Sequence, residues 1–160
     1  KMMKIALFAL FLALANAATP FTFNMEINGT CGSNSCVGKA PSQEITFLVS
    51  STDAVHFNVK PLVGTSAYWN STYTANKHKD RDTEKGEVAF GTPENQQHSI
   101  SFDGRGDFME ASGNMYGTLS AAITGGTGQY AGAKGFLSYT TVMDLKTGNY
   151  ITQCSITGES

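Results

Sequence analysis

The chain has 160 residues, with seventeen glycines, ten phenylalanines and six tyrosines, and it carries eleven basic and thirteen acidic side chains. This length suits a single domain with a core of its own, and the charge balance argues against nucleic acid or an anionic membrane as a partner, because both require basic patches. Three cysteines and three scattered histidines show no metal-binding spacing, and no phosphate- or dinucleotide-binding motif occurs, so we expect neither a metal nor a cofactor.

The first seventeen residues read as a secretory signal peptide. Lys1 and Lys4 give a basic start, residues 5–15 form an apolar run too short for a permanent membrane span, and Ala15-Asn16-Ala17 supplies a small-x-small cleavage pattern. We therefore expect a secreted mature domain over residues 18–160, with no membrane contact after cleavage. Without Lys1 and Lys4, nine basic residues remain against thirteen acidic ones, a net charge of −4.

Apolar and polar residues alternate with a period of two along much of the remaining chain. Such alternation predicts strands with one face on a core and the other in solvent. The apolar members of these runs are Phe21, Phe23, Met25 and Ile27; Ile45, Phe47 and Val49; Val55, Phe57 and Val59; Ala67, Trp69 and Tyr73; His98, Ile100 and Phe102; and Met115, Leu119, Ala121 and Ile123. No later stretch carries a helical stripe, so the pattern predicts an all-β fold.

Turns and one charged loop are expected between these runs. Residues 104–106, 112–114, 125–128 and 146–149 contain glycine or asparagine, which tolerate positive φ. Residues 76–87 include KHKDRDTEKGE, whose mixed charges we interpret as a solvated loop. About eight strands at this spacing predict a single antiparallel β-barrel, a closed form that leaves no unpaired edge.

The cysteines and two sequons fit a secreted chain. Cys31 and Cys36 enclose a flexible Gly-Ser-Asn-Ser stretch and could close a small loop, or one of them could reach Cys154. The sequence does not choose between these pairings, and either leaves one thiol over. Asn28 and Asn70 each begin an Asn-x-Thr sequon, which predicts N-glycosylation in a secreted eukaryotic protein.

The C-terminal third contains AITGGTG at residues 122–128, then Tyr130, GAKG at 132–135 and DLKTGN at 144–149. Together these motifs resemble the allene oxide cyclase and dirigent superfamily over about residues 99–158. The resemblance implies an eight-stranded antiparallel barrel that confines a small apolar or phenolic ligand without a cofactor. It also implies a possible homo-oligomer, since members of this superfamily are often dimers or trimers.

The resemblance further suggests site residues on the cyclase side. Glu26 and Asn28, within Met-Glu-Ile-Asn at 25–28, are similar to a Glu and an Asn that line the cyclase cavity, and Tyr116 is similar to a tyrosine ahead of the hairpin. Glu26 would then be the catalytic group, with Asn28 and Tyr116 contacting the ligand. The alternation sets Glu26 and Asn28 opposite the apolar residues of the same strand, so one of the two sets must face outward.

On the dirigent side, the family places acidic residues and an arginine at the barrel mouth. Asp103, Arg105 and Asp107 are the candidates for that ligand-binding role, although their glycine-rich setting also fits a turn. Three functions stay open: a ligand-confining barrel, an extracellular structural or defence scaffold with a filled barrel, and a cofactor-independent isomerase. Enzymatic activity is not decided by the sequence. A lumen lined by Glu26 and Tyr116 would favour a ligand, and a lumen filled by apolar side chains would favour the scaffold.

Overall fold

A computed structural model describes residues 18–42, 46–49, 58–61, 65–76, 80–92 and 94–160. The expected signal peptide lies outside these residues, as do parts of the two strands expected around Phe47 and Phe57. Within them the chain is all-β, with a 3-10 turn at Gly128–Tyr130. The strands are β1 (Pro20–Cys31), β2 (Ser35–Ala40), β3 (Thr46–Val49), β4 (Asn58–Pro61), β5 (Ser66–Asn76), β6 (Arg81–Thr92), β7 (Asn95–Ala111), β8 (Asn114–Thr127), β9 (Lys134–Asp144) and β10 (Asn149–Glu159).

Eight of the strands close into an antiparallel barrel, as the sequence predicts. Their order around the barrel is β1, β2, β5, β6, β7, β8, β9 and β10, and β10 pairs with β1 to complete the ring. The other edge of β1 is shared: residues 28–31 pair with β2, while Phe23 and Asn24 pair with β3, which forms a hairpin with β4. No helix among the described residues is long and apolar enough to cross a membrane.

One end of the barrel lumen is filled by aromatic side chains. Phe21 and Phe23 of β1 meet Phe90 of β6 and Tyr130 of the 3-10 turn, with ring centroids 5.0 to 5.9 Å apart. All four side chains are at most 6% exposed. We call these four residues the aromatic plug. The apolar residues of β1 are therefore the inward set, and the polar residues of this strand face outward.

Three expectations about loops are wrong. Residues 125–127, expected in a turn, end strand β8, and the turn follows at Gly128–Tyr130. Gly104 and Gly106 do not form a turn but lie inside β7, where a Cβ on Gly104 would come within 2.5 Å of the Ala121 Cβ. The charged stretch expected as a loop becomes strand β6 from Arg81 onward. The inward-facing residues of β6 include Asp82 and Glu84. Its sequence therefore lacks the alternation of apolar and polar residues that predicted the other strands. The turns expected at 112–114 and 146–149 are present.

Two glycines of the β1–β2 hairpin make room for a tyrosine. Gly29 and Gly38 are cross-strand neighbours, and Gly29 also lies beside Tyr150 of β10. A Cβ on Gly38 would lie 2.3 Å from the Tyr150 Oη and 2.7 Å from the Ile27 Cγ2. The tyrosine ring therefore packs directly over the backbone of both strands, which requires residues without a side chain.

Candidate functional site

The lumen is open at the end opposite the aromatic plug, near the β1–β2, β7–β8 and β9–β10 connections. A cavity of about 160 Å³ lies there, and we call it the open-end cavity. The residues that line it are Cys31, Cys36, Trp69, Tyr73, Ala75, Asp82, Glu84, Phe108, Glu110, Met115, Tyr139, Thr141, Met143, Leu145, Tyr150 and Thr152. None of these described residues is basic, so an anionic ligand would find no countercharge in the lining.

Glu84 is the buried acid of this cavity, with 3% of its surface exposed. The Tyr139 hydroxyl donates a hydrogen bond to its carboxyl group, and Ser71 bonds to the same group. The Trp69 indole donates to the Ser71 Oγ at 2.9 Å, so the tryptophan supports this arrangement. Burial raises the pKa of Glu84 and outweighs these hydrogen bonds, which lower it. The fold thus shifts the Glu84 carboxyl toward its protonated form relative to a free glutamate.

Asp82 occupies the next inward position of β6, nearer the mouth, and is half-buried. Burial raises the pKa of Asp82 as well, while a hydrogen bond from the backbone of Gly106 opposes the rise. The negative charge of Asp82 also adds to the raised pKa of Glu84. Each of the two carboxyl groups therefore keeps its proton to a higher pH than a free one would. No group of three or more His, Cys, Asp or Glu side chains in the described chain is placed to hold a metal ion.

Aromatic rings form the floor and one wall of the cavity. Trp69 lies 4.7 Å from Phe102 and 5.7 Å from Tyr139 between ring centroids, in tilted and edge-on arrangements respectively. Burial raises the pKa of both Tyr139 and Tyr150, which keeps these phenols neutral. The cavity therefore combines aromatic surface with neutral hydroxyl groups and one carboxylic acid.

A disulfide bond lies at the cavity mouth. Cys31 and Cys36 are cross-strand neighbours in the β1–β2 hairpin and form this bond, which is one of the two pairings left open by the sequence. Cys154 remains a free thiol, 2% exposed, and burial raises its pKa. The Tyr73 hydroxyl donates to the backbone oxygen of Gly32 at 2.9 Å and ties the hairpin to β5.

The residues suggested by the cyclase resemblance lie outside the lumen. Glu26 accepts a hydrogen bond from Gln153 of β10 on the outer face, and Asn28 is exposed beside it. Tyr116 is 40% exposed on the outer face of β8. None of these three side chains lines the open-end cavity, because the apolar residues of β1 and β8 take the inward positions, and Tyr116 lines a groove on the outer surface instead. Any catalytic or binding role for them would be a role of the outer surface.

The three residues suggested by the dirigent resemblance also face outward, along β7. Asp103 pairs with Lys85 at 2.8 Å, Asp107 pairs with Arg81 at 3.2 Å, and Arg105 is exposed between them. The structure brings these residues together as a charged stripe on the barrel surface rather than at its mouth. Their part in ligand binding stays an untested prediction, and this placement gives it no support.

No protein-family model and no curated protein matches the chain. Among solved structures, the chain is similar to a pterocarpan synthase dirigent protein, with 16% sequence identity, 89% of this chain and 88% of that chain covered, and a TM-score of 0.48. The fold follows from the strand pairing of this chain, and the site follows from the geometry of its cavity.

Proposed function

We propose that this chain is a secreted barrel protein of the dirigent type that binds a small, neutral aromatic compound bearing a hydroxyl group. The ligand would occupy the open-end cavity, and no cofactor takes part. The observation that carries the proposal is the buried Glu84 carboxyl, which lies among aromatic rings in a cavity whose lining contains no basic residue.

The size of the cavity supports a ligand with one ring. A cavity of roughly 150 Å³ holds a benzene-sized molecule, and the open-end cavity has about 160 Å³. Trp69 and Tyr139 offer ring surfaces against which such a molecule can pack. A carboxylate on the ligand would meet Asp82 and Glu84 without a compensating cation, so we expect neutral compounds to be preferred.

The chemistry available at Glu84 is hydrogen-bond donation and proton transfer to a ligand oxygen. A carboxyl group with a raised pKa keeps its proton to a higher pH than a free carboxyl group does and can donate it within the cavity. The surrounding side chains would hold the ligand in one orientation and keep water away, which is the main contribution of a confining protein. If the chain is an isomerase, Glu84 rather than Glu26 would be the residue that donates the proton.

The scaffold alternative has one observation in its favour, because the aromatic plug fills one end of the lumen and buried side chains such as Ile100 and Leu137 continue the apolar core. The open end keeps a cavity with a buried acid, a feature that reduces stability and that a pure scaffold would not need. For secretion, the Cys31–Cys36 bond gives support, since such bonds persist mainly in oxidising compartments. Asn28 and Asn70 are both exposed on the outer face, as N-glycosylation there would require.

Binding can be followed through Trp69, which lines the cavity and is the single tryptophan of the chain. We expect p-hydroxybenzyl alcohol to change its emission in a saturable way. Ala75→Phe places a ring at the cavity mouth, where Ala75 is exposed, and should weaken binding about tenfold or more, a change of about 1.4 kcal/mol.

Thr74→Phe is the matched control, because Thr74 is the adjacent residue of β5 and faces outward. This variant should bind the alcohol like the wild type. An unsaturable change in the wild-type emission, or equal weakening by both variants, would argue against a ligand site in the lumen.

A further inference from the structure

A groove of about 640 Å³ crosses the outer surface of β8, β9 and β10. Tyr116, Val142 and Ile151, which line it, are successive cross-strand neighbours, and Met109 of β7 pairs with Tyr116. We call these four residues the apolar row, and they are 40% to 60% exposed. Isolated exposed apolar residues are common, but a contiguous row on four adjacent strands indicates a surface that something covers.

The apolar row leads directly to a sequon asparagine. Asn28 of β1 is the cross-strand neighbour of Ile151, so it continues the same line of outward-facing residues. Its side chain is exposed, and its Nδ2 donates a hydrogen bond to the Glu26 Oε1 at 3.5 Å. Glu26 in turn accepts a hydrogen bond from Gln153, which lines the groove. The nitrogen that would carry a sugar therefore lies at the edge of the groove.

We propose that an N-linked glycan on Asn28 folds back along this groove and covers the apolar row. The proposal rests on the secretion proposed above, because N-glycosylation takes place in the secretory pathway. In the transfer, the Asn28 Nδ2 attacks C1 of the first N-acetylglucosamine of an oligosaccharide linked to a lipid diphosphate. The new N–C bond replaces the bond from C1 to the phosphate oxygen, Nδ2 gives up one of its two protons, and the lipid diphosphate leaves.

The chemistry of the groove matches a neutral sugar chain. A sugar ring presents C–H groups on its faces and hydroxyl groups at its rim, so it can pack on an apolar surface and bond to polar groups beside that surface. The apolar row supplies the surface. Thr118 and Thr140, which are cross-strand neighbours in the same groove, supply hydroxyl groups that donate and accept hydrogen bonds. Asp107, at the β7 edge of the groove, is already paired with Arg81, which leaves little for a charged partner to bind.

The dimensions of the groove also suit the first sugars of a glycan. Its volume falls within the roughly 300 to 1,000 Å³ of clefts that hold small organic molecules. From Asn28 to Tyr116 the line of neighbours crosses three steps between strands of about 4.8 Å each, or roughly 14 Å. The core of an N-glycan, which is several sugar rings long, can span this distance from a single attachment point.

The second sequon shows a similar arrangement. Asn70 of β5 is exposed, and its cross-strand neighbour Val37 is 53% exposed on the outer face of β2. Tyr68, two residues before Asn70, lies on the same face of β5. Both asparagines that could carry a glycan therefore lie beside an exposed aliphatic side chain on which the sugar can pack.

Thermal unfolding of glycosylated and unglycosylated protein tests this packing. Both forms carry Asn70→Gln, so that Asn28 is the sequon under test. One form is secreted from a eukaryotic host, and the other is made in a bacterial periplasm, where the disulfide bond can also form. Mass spectrometry measures the occupancy of Asn28. We expect the glycan to raise the melting temperature by about 2 to 4 °C, the shift that a modest stabilisation gives in a domain of this size.

Two variants show whether this shift depends on the apolar row. Ile151→Ser removes the apolar side chain beside Asn28, and the glycan should then raise the melting temperature by less than half as much. Phe136→Ser is the matched control and should keep the full shift. Phe136 is 63% exposed on the outer face of β9 but lies about 20 Å along the strand from Val142. Comparing the two forms of each variant cancels the direct effect of the substitution.

No shift in the parent protein, or equal shifts in the parent and both variants, would overturn the proposal, because the glycan would then not act through the row. Association of the glycosylated protein that Ile151→Ser abolishes would also overturn it, since a second copy would cover the row instead. A secreted protein with Asn28 unmodified would overturn it and leave secretion standing, whereas a chain retained in the cell would contradict both. Ligand binding in the open-end cavity is measured separately through Trp69 emission.

Discussion

Glu84→Gln is expected to remove much of the pH dependence of folding stability that begins near pH 4, and to exceed the wild type in stability once the pH is above the folded pKa of Glu84. Burial raises the pKa of Glu84 in the folded state, so the folded protein holds its proton more tightly than the unfolded chain does. The favourable contribution of the protonated group is complete below the unfolded pKa, about 4.3, and is lost as the pH rises through the folded pKa.

The size of this change in stability follows from the difference between the folded and unfolded pKa of Glu84. Each unit by which the folded pKa of Glu84 exceeds the unfolded one removes about 1.4 kcal/mol from the free energy of unfolding at high pH. Glutamine carries no charge at any pH and can still accept the hydrogen bond from Tyr139. Part of the slope should remain in Glu84→Gln, because burial raises the pKa of Asp82 in the same direction.

Urea unfolding at a series of pH values, followed by Trp69 emission, measures this prediction. Glu87→Gln serves as the control, since Glu87 lies on the same strand and is exposed on the outer face. The control should retain the pH profile of the wild type. Parallel profiles for Glu84→Gln and the wild type would show that Glu84 does not carry a raised pKa in the folded protein.

Gly38→Ala is expected to lower the free energy of unfolding by about 1 to 3 kcal/mol, the usual cost of forcing a methyl group into a packed core. The added Cβ would lie 2.3 Å from the Tyr150 hydroxyl oxygen, far inside contact distance. The methyl group cannot move easily because it is fixed to the strand backbone, which is held by β1 and β2. The Tyr150 side chain cannot move easily because it is packed in the core. Urea unfolding gives the change directly.

Two further variants make the Gly38 prediction specific. Gly32→Ala lies in the same hairpin, but the atoms nearest to its Cβ are 3.9 Å away, so its stability should stay close to that of the wild type. Tyr150→Phe removes the clashing hydroxyl and, combined with Gly38→Ala, should recover part of the loss. Equal losses from Gly32→Ala and Gly38→Ala would point to a backbone effect of glycine replacement rather than to packing.

Local patterns in the sequence were sufficient to predict the barrel. Alternation marks β1, β5 and β8, and the glycine turns at residues 112–114 and 146–149 separate later strands as expected. A period of two reports which residues share a face, and antiparallel neighbours joined by short turns then follow from chain order. The inward direction of Phe23 stayed open only because the cyclase resemblance assigned Glu26 and Asn28 of the opposite face to the cavity, although burial favours the apolar face.

The candidate site was not predicted from the sequence. Asp82 and Glu84 occur in a run of charges with mixed signs, and such a run predicts a solvated loop rather than a strand. Burial of Glu84 depends on Ser71 from β5 and on Tyr139, which is 55 residues away along the chain. Such partners meet through barrel closure, so no local pattern predicts them. The one local signal was that Asp82, Glu84 and Gly86 continue the inward positions of Val88 and Phe90 backwards along β6.

The motif resemblance did not predict which way the Glu26 side chain faces. A short stretch such as Met-Glu-Ile-Asn specifies a strand but not its rotation, and the neighbouring phenylalanines determine which face is buried. The buried acid of this barrel lies instead on β6, beside aromatic residues from β5 and β9. The two ends of the lumen therefore differ: the aromatic plug contributes stability, and the open-end cavity keeps a buried acid that lowers it.

The most direct test of the account is to compare the affinities of p-hydroxybenzyl alcohol and p-hydroxybenzoate at neutral pH, measured by Trp69 emission. Both compounds are para-substituted phenols. The alcohol carries a neutral hydroxymethyl group at the para position, and the benzoate carries a carboxylate there. We predict saturable binding of the alcohol and at least about tenfold weaker binding of the benzoate, because Asp82 and Glu84 offer no countercharge. Benzoate binding as tight as that of the alcohol, or no saturable binding of either, would contradict the assignment of the open-end cavity as a site for neutral aromatic ligands.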